Sequence, residues 1–196
     1  HSIDHGSSLR TVWPWDFEAQ ILHLRRSNVE IISLSQLIRF IEGDIERLPA
    51  RVAVLTIDDG EALFHKYAWP ILKKHQAPFA LSIITRPTQL SKHARALSWE
   101  QLRRLVFLGM EIGAHGLTHR PLTTLSPYEL DRELQSAKQI LEERLGVPVR
   151  ALAAPGGFWN KQVADAAREA EYDAVWVSRI GTNGRETNPQ ALRRIV

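Results

Sequence analysis

The sequence predicts an α/β fold built on a parallel sheet or barrel. Short apolar runs of strand length alternate with helical patterns along the chain, the order expected of parallel strands joined by helical crossovers. The run from Val52 to Thr56 is mostly apolar, which reads as a buried parallel strand. No repeat period is present, and no Gly-x-Gly-x-x-Gly follows a strand, so solenoid and dinucleotide-binding architectures are not indicated.

Taken in order, residues 1–14 read as loop, with Gly6, Ser7, Ser8 and Pro14 as breakers. Asp16 is placed to cap a helix over 17–26, with Phe17, Ile21 and Leu24 on one face. Residues 29–32 suit a short strand. Ser35 then opens a helix with Leu37, Ile38 and Ile41 inward, and Gly43 closes it. Strand 52–57 follows Pro49, and a helix is expected over 61–75, kinked by Pro70. Residues 79–84 form the next strand and 85–97 a longer loop. Ser98 and Gln101 make a capping box for a helix running to Gly109. Residues 110–114 are a short strand ending at His115. Ser126, Pro127 and Glu129 combine a cap, a first-turn proline and a box acid, and that helix stops at Gly146 and Pro148. Strand 149–154 ends in Pro155-Gly156-Gly157, Asn160 caps a helix over 161–170, and 173–177 is a strand. Residues 179–190 read as loop, and 191–196 begin a further element, read as a strand.

Bulk composition excludes several function classes. The 196 residues suffice for one good core, with 44% hydrophobic and 24% charged residues, the balance of an ordinary globular protein. The formal charge of +3 is mild, and no Lys/Arg run is dense enough for nucleic acid. Cysteine is absent, so thiolate chemistry, Cys-ligated zinc and disulfides are excluded. No segment is apolar over the length needed to span a membrane. With no low-complexity tract and no obvious linker the chain reads as one domain over 1–196, and its start at His1 rather than Met reads as a domain trimmed at both ends.

Candidate chemistry gathers at predicted strand ends. Strand 52–57 delivers Asp58 and Asp59, then Gly60. Alone, Asp-Asp-Gly reads as a surface turn, yet α/β sheets and barrels place their chemistry at the carboxyl ends of strands. Two adjacent carboxylates need a compensating cation or open water. Strand 110–114 ends in His115-Gly116-Leu117-Thr118-His119. Two histidines four apart plus one carboxylate make a facial set suited to zinc, iron, cobalt or nickel. A lone His-x-x-x-His is a weak signal, strengthened here by its place at the same end of the sheet as Asp58-Asp59. A third strand end, Ala153-Ala154-Pro155-Gly156-Gly157, lets a backbone N–H approach a ligand closely, as an oxyanion donor must. Trp159, just beyond, is the best placed ring for stacking on a sugar. Trp69 and Trp99 fall in helices and suit the core, His23 and His75 suit a helix surface, and His5, His65 and His93 suit solvated positions.

These residues resemble a known family, the polysaccharide deacetylases (carbohydrate esterase family 4, the NodB-homology domain). Thr56-Ile57-Asp58-Asp59-Gly60 resembles its Thr-Phe-Asp-Asp-Gly motif, and His115 to His119 its His-Ser/Thr-x-x-His motif. Pro155-Gly156-Gly157 stands where the family has Pro-Tyr-Gly, and Asp173 to Trp176 resembles its Asp-x-x-Trp segment. His1-Ser2-Ile3 resembles the end of a family strand, Tyr-His-x-Ile. The resemblance extends over nearly the whole chain.

It implies a distorted, incomplete (β/α) barrel of about seven parallel strands. It implies a metal-dependent hydrolase that removes N-acetyl groups from an N-acetylhexosamine polysaccharide and releases acetate. Asp59, His115 and His119 would hold a divalent metal, most often zinc, with cobalt or nickel as alternatives. Asp58 would be the general base, the Gly156 N–H the oxyanion donor, and Pro155, Trp159 and Trp176 would contact substrate. An extracytoplasmic location follows from that substrate class. The sequence departs from the family at four places. Ala153 stands where the family's base-orienting arginine falls, with Arg150 nearby but on the opposite strand face. Gly156 replaces the motif tyrosine. Gly116 replaces the motif Ser/Thr and removes a loop hydrogen bond. The late Leu-x-His that supplies the general acid does not occur before Val196, leaving His1 as a candidate. Two other readings therefore stand beside the first: hydrolysis of a non-sugar amide or ureide C–N bond, and a degenerate domain that binds polysaccharide without turnover.

Overall fold

The computed structural model describes residues 2–3, 11–86 and 96–195. A two-stranded parallel pair, β1 (Ser2–Ile3) and β2 (Thr11–Val12), precedes α1 (Pro14–Arg26). Then come β3 (Glu30–Ile32), α2 (Leu34–Glu42), β4 (Val52–Ile57), α3 (Trp69–Lys74) and β5 (Phe79–Ile83). The second half adds α4 (Trp99–Phe107), β6 (Glu111–Ala114), α5 (Pro127–Leu145), β7 (Ala151–Ala153), α6 (Lys161–Glu169) and β8 (Ala174–Trp176). Strands β3 to β8 form one sheet in sequence order, every neighbouring pair parallel. It curls into a half-barrel with α2 packed against its concave side and the other helices on its outside.

Among the described residues the main sheet has six strands, where about seven were expected. The segment expected to begin a strand at Ala191 makes only one parallel bridge, Leu192 beside Trp176. Its backbone is nevertheless stitched to β8: Val177 N–H donates to the Leu192 carbonyl at 2.9 Å and Leu192 N–H to the Val175 carbonyl at 2.8 Å.

Local chemistry explains most boundaries. Ser98 and Ser126 cap α4 and α5, each in a reciprocal box with Gln101 or Glu129, and Asn160 caps α6 through the Val163 N–H. Three starts differ from expectation. Helix α1 begins at Pro14, whose fixed φ suits a first helical position, so Asp16 sits in the first turn. Helix α2 is capped by Ser33, boxed with Gln36, rather than by Ser35. The helix expected over 61–75 is split, with a π turn over Phe64–Ala68 leading into α3, where Pro70 lies in the first turn. A proline there needs no N–H partner, and the wider turn ahead of it absorbs the kink.

The period-2 alternation of the strands divides the core into two clusters. Phe79, Leu81, Ile83, Leu152 and Val175 pack outward against the helices. Ala80, Ala151, Ala153, Ala174, Trp176 and Leu192 face the concave side, with Leu34, Leu37 and Ile38 of α2 packed against them. Small side chains line that inner face because the Trp176 ring fills it. A Cβ on Gly113 would stand 3.1 Å from the Trp176 ring and 3.0 Å from the Ala151 carbonyl oxygen. The same alternation turns Asp58, Ser82, His115 and Arg194 toward the concave side, where the site is built.

Candidate active site

Asp59, His115 and His119 converge. Nε2 of His115 lies 3.4 Å, and Nε2 of His119 3.5 Å, from the same oxygen, Oδ1 of Asp59. Among the described residues these are the side chains grouped as metal ligands, with their ligand atoms all within 4.8 Å of one another. The donor set fits a small divalent cation. Ligand atoms about 2.0–2.2 Å from a tetrahedral zinc stand roughly 3.3–3.5 Å apart. The buried His115 ring is fixed by its other nitrogen, since Nδ1–H donates to the Ala153 carbonyl at 2.9 Å. That leaves Nε2 with the lone pair a metal needs.

Backbone conformation and a buried carboxylate hold these three residues in place. Asp59 and His119 both have positive φ, 75° and 64°, an uncommon conformation for a residue with a side chain and one that collects at functional sites. The turn between the histidines rests on Glu133 of α5, 5% exposed. Oε2 of Glu133 accepts the N–H groups of Leu117 at 2.8 Å and Thr118 at 2.9 Å, and Oε1 accepts the Thr118 hydroxyl. The loop hydrogen bond expected to vanish with Gly116 is thus replaced from a helix. Glu133 was missed by sequence reasoning; its only signal is an acid among the inward positions Leu130, Leu134 and Ala137.

Asp58 has a different environment. Its Oδ1 accepts from Ser82 Oγ–H at 2.7 Å and from the Trp176 indole N–H at 3.3 Å. Its Oδ2 pairs with Arg194 Nη2 at 2.7 Å. An ionised carboxylate offers about four acceptor sites, so three donors leave roughly one for an incoming proton. Burial pushes this carboxyl up, but the nearby His115 ring, the paired Arg194 and the Ser82 hydroxyl outweigh it and hold the group well below the usual carboxylate range. The arginine whose expected place Ala153 takes is therefore supplied by Arg194, from the far side of β8. Arg150 pairs with Asp173 instead, at 3.1 Å. Arg194 was also missed. The available signal was alternation, because Leu192 is buried, Arg193 and Ile195 are exposed, and Arg194 shares the inward register of Leu192.

The residues expected to contact substrate divide. Trp176 is 2% exposed and lies beneath Asp58, so it supports the carboxylate rather than facing a ligand. Pro155 is buried, and its Cγ stands 3.5 Å from where a Gly116 Cβ would be. Trp159 is 38% exposed, with its indole N–H donating to the Gln190 carbonyl at 2.6 Å. Gly156 is exposed at φ +67°, and a Cβ there would meet the Phe158 ring at 2.7 Å. A tyrosine does not fit at that position, and the ring of Phe158, 56% exposed, lies over it instead. Trp69 and Trp99 pack against the core as expected. His75 is not a free surface histidine, since its Nε2 lies 2.7 Å from Glu18 Oε1. The acid candidate His1, with His5 and His93, lies outside the described residues.

Residues 46–175 match the family model for polysaccharide deacetylases. The chain belongs to the polysaccharide deacetylase family. Among curated relatives, YxkH of Bacillus subtilis, named for its likeness to polysaccharide deacetylases, is 24% identical over 195 residues, covering 100% of this chain and 68% of that protein. A chitooligosaccharide deacetylase of Sinorhizobium fredii is 29% identical over 126 residues, 62% of this chain and 54% of its own length. The chain thus spans little more than half of that relative. The fold is that of the Streptococcus pyogenes deacetylase PplD, solved in complex with acetate, with a TM-score of 0.87 at 26% identity, covering 100% of this chain and 87% of that one. IcaB from Ammonifex degensii has the same fold, with a TM-score of 0.89 at 24% identity, covering 97% of this chain and 86% of that one.

Proposed function

We propose that this chain is a metal-dependent de-N-acetylase acting on an N-acetylhexosamine polymer, with Asp59, His115 and His119 as the metal ligands. The observation that carries the reading is the pairing of two unlike carboxylates: Asp59 among the two imidazoles, and Asp58 beside it, held ionised by Arg194. A divalent metal there would supply Lewis acidity and bring the pKa of a bound water down to roughly 7. Asp58 then takes a proton from the attacking water through its remaining acceptor site. The Gly156 N–H donates to the oxygen that gains charge on the acetamide carbon. Phe158 and Trp159 offer ring faces to the sugar. Breaking the C–N bond, with a proton delivered to the leaving nitrogen, gives acetate and a free amine on the polymer. Zinc suits the two-imidazole, one-carboxylate set, as cobalt and nickel also do. Such polymers lie outside the cytoplasm, and the protein is assigned there with them. No described helix is long and apolar enough to cross a membrane.

The Arg194–Asp58 pair bears on the competing readings. A binding domain without turnover has no use for an oriented, ionised carboxylate beside a metal-ligand set, so the pair favours catalysis. The deciding experiment is acetate release from chitooligosaccharides by zinc-loaded protein, run beside ring opening of cyclic ureides. Acetate without ring opening is expected. Ureide hydrolysis without acetate would move the function to the non-sugar C–N bond, and failure to bind metal at micromolar zinc would exclude both enzymatic readings.

A further inference from the structure

A groove of about 880 Å³ opens beside the site, between the turn at 157–159 and the segment 177–193. That volume is within the usual range for ligand clefts. Its lining carries three arginines, Arg179, Arg185 and Arg193, against one acid, Glu186. Arg185 is a strut: its Nη2 donates to the carbonyls of Ile45 and Glu46, and its guanidinium stacks on Phe40 at 4.6 Å. Arg179 and Arg193 are exposed, and among the described residues neither side chain makes an ion pair or hydrogen bond. Arg193 is nevertheless positioned. Asn183 grips its backbone on both sides, accepting from the N–H and donating to the carbonyl at 2.8 Å each, and its Cδ lies 2.7 Å from where a Gly181 Cβ would be. Arg193 and Arg194 are successive residues of an extended segment, so one guanidinium faces the groove while the next reaches Asp58 at 2.7 Å. The groove and the reacting carboxylate share a wall one residue thick.

Two unpaired guanidiniums held in a cleft are a poor match for a neutral sugar and a good one for an anion, which offers charge-assisted, bidentate hydrogen bonds. We propose that this groove binds a carboxylate or phosphate substituent carried by the same glycan whose acetamide enters the site, so that the preferred substrate is an anionic polysaccharide. The proposal rests on the deacetylase reading for the identity of the polymer, while its test is a binding measurement that needs no turnover.

The test uses the Asp58→Asn chain, which leaves substrate intact, titrated calorimetrically with three N-acetylglucosamine tetramers: neutral, bearing a uronate carboxylate, and bearing a phosphate monoester. At least one anionic tetramer should bind about tenfold more tightly than the neutral one, the scale of one or two charge-assisted hydrogen bonds. The advantage should shrink as salt is raised from roughly 50 mM to 500 mM. Arg179→Gln with Arg193→Gln should bring the ratio of affinities close to one, whereas Arg150→Gln, on a residue paired with Asp173 before β7, should leave it unchanged. Which anionic tetramer gains identifies carboxylate or phosphate as the substituent. Equal binding of all three, or a double variant that keeps the anionic advantage, overturns the proposal. Absent acetate release by the unaltered chain would overturn the deacetylase reading and leave the binding result standing.

Discussion

The two adjacent aspartates are held by opposite strategies. Asp59 meets two histidines from one short turn, so its half of the site is local: one strand end, one loop and one glutamate beneath it. Asp58 is held by side chains from β5, β8 and the segment after β8. The first half is arranged around a place for a cation, with lone pairs turned toward one another. The second is a carboxylate already neutralised by protein donors. Neighbours in sequence thus acquire different surroundings, one carboxylate set among imidazoles and the other among fixed donors.

That contrast can be broken one side at a time. The largest effect belongs to Asp59→Asn, which should abolish both bound metal, by elemental analysis, and acetate release. Asp58→Asn should retain its full equivalent of metal while turnover falls at least about 100-fold, the scale of losing a general base. Loss of metal in the second variant would erase the distinction between the two halves.

Arg194→Ala should lower kcat/KM about tenfold with metal content unchanged. The direction of its pH effect follows from charge. Arg194 lowers the Asp58 carboxyl, so removing it raises that group, and the acidic limb of the kcat/KM profile should move to higher pH, with Arg194→Lys recovering part of the shift. Stability responds to the same linkage. A lowered carboxyl stabilises the fold fully above its ordinary value of 3.8, and that contribution is lost as pH falls toward the lower folded value. Between pH 6 and pH 3, urea titrations should therefore show a smaller loss of stability in Arg194→Ala than in the unaltered chain.

The mildest change is Glu133→Gln. It keeps the size of the side chain but turns an amide group toward three donors. Metal affinity should weaken about 10-fold to 100-fold, the usual reach of residues that orient ligands. The acidic limb of the pH profile should stay in place, since Glu133 touches only the His115–His119 turn.

What was legible in the sequence follows the same division. Strand β4 has the limits its apolar run predicted, and the capping boxes at Ser98 and Ser126 open their helices as read, because each depends on residues three or four positions apart. The meeting of Asp59 with His115 and His119 was also legible, since parallel strands bring their carboxyl ends to one side of the sheet. The partners of Asp58 were not. Arg194, Ser82 and Trp176 meet there only through the curl of the sheet, and no local spacing encodes it. Trp176 was read as facing substrate because its motif position is visible in sequence while the direction of its indole is not. Ser33 was passed over as the cap of α2 in favour of Ser35 because both are serines near the same helix start; the box with Gln36 distinguishes them.

The stitch between Leu192 and β8 has a consequence for the order in which the protein is made. Asp58 and Ser82 leave the ribosome early, whereas Arg194 follows after more than half the chain has been synthesised. Chains fold from the N-terminus as they emerge, so Asp59, His115 and His119 are all available before the cation that pairs with Asp58. A nascent chain, or one nicked within 179–190, already holds the Asp59, His115 and His119 group while Asp58 still lacks its counter-charge. Docking of the segment that carries Arg194 is then the step that completes the surroundings of Asp58, and it comes only once the strands that receive it are in place.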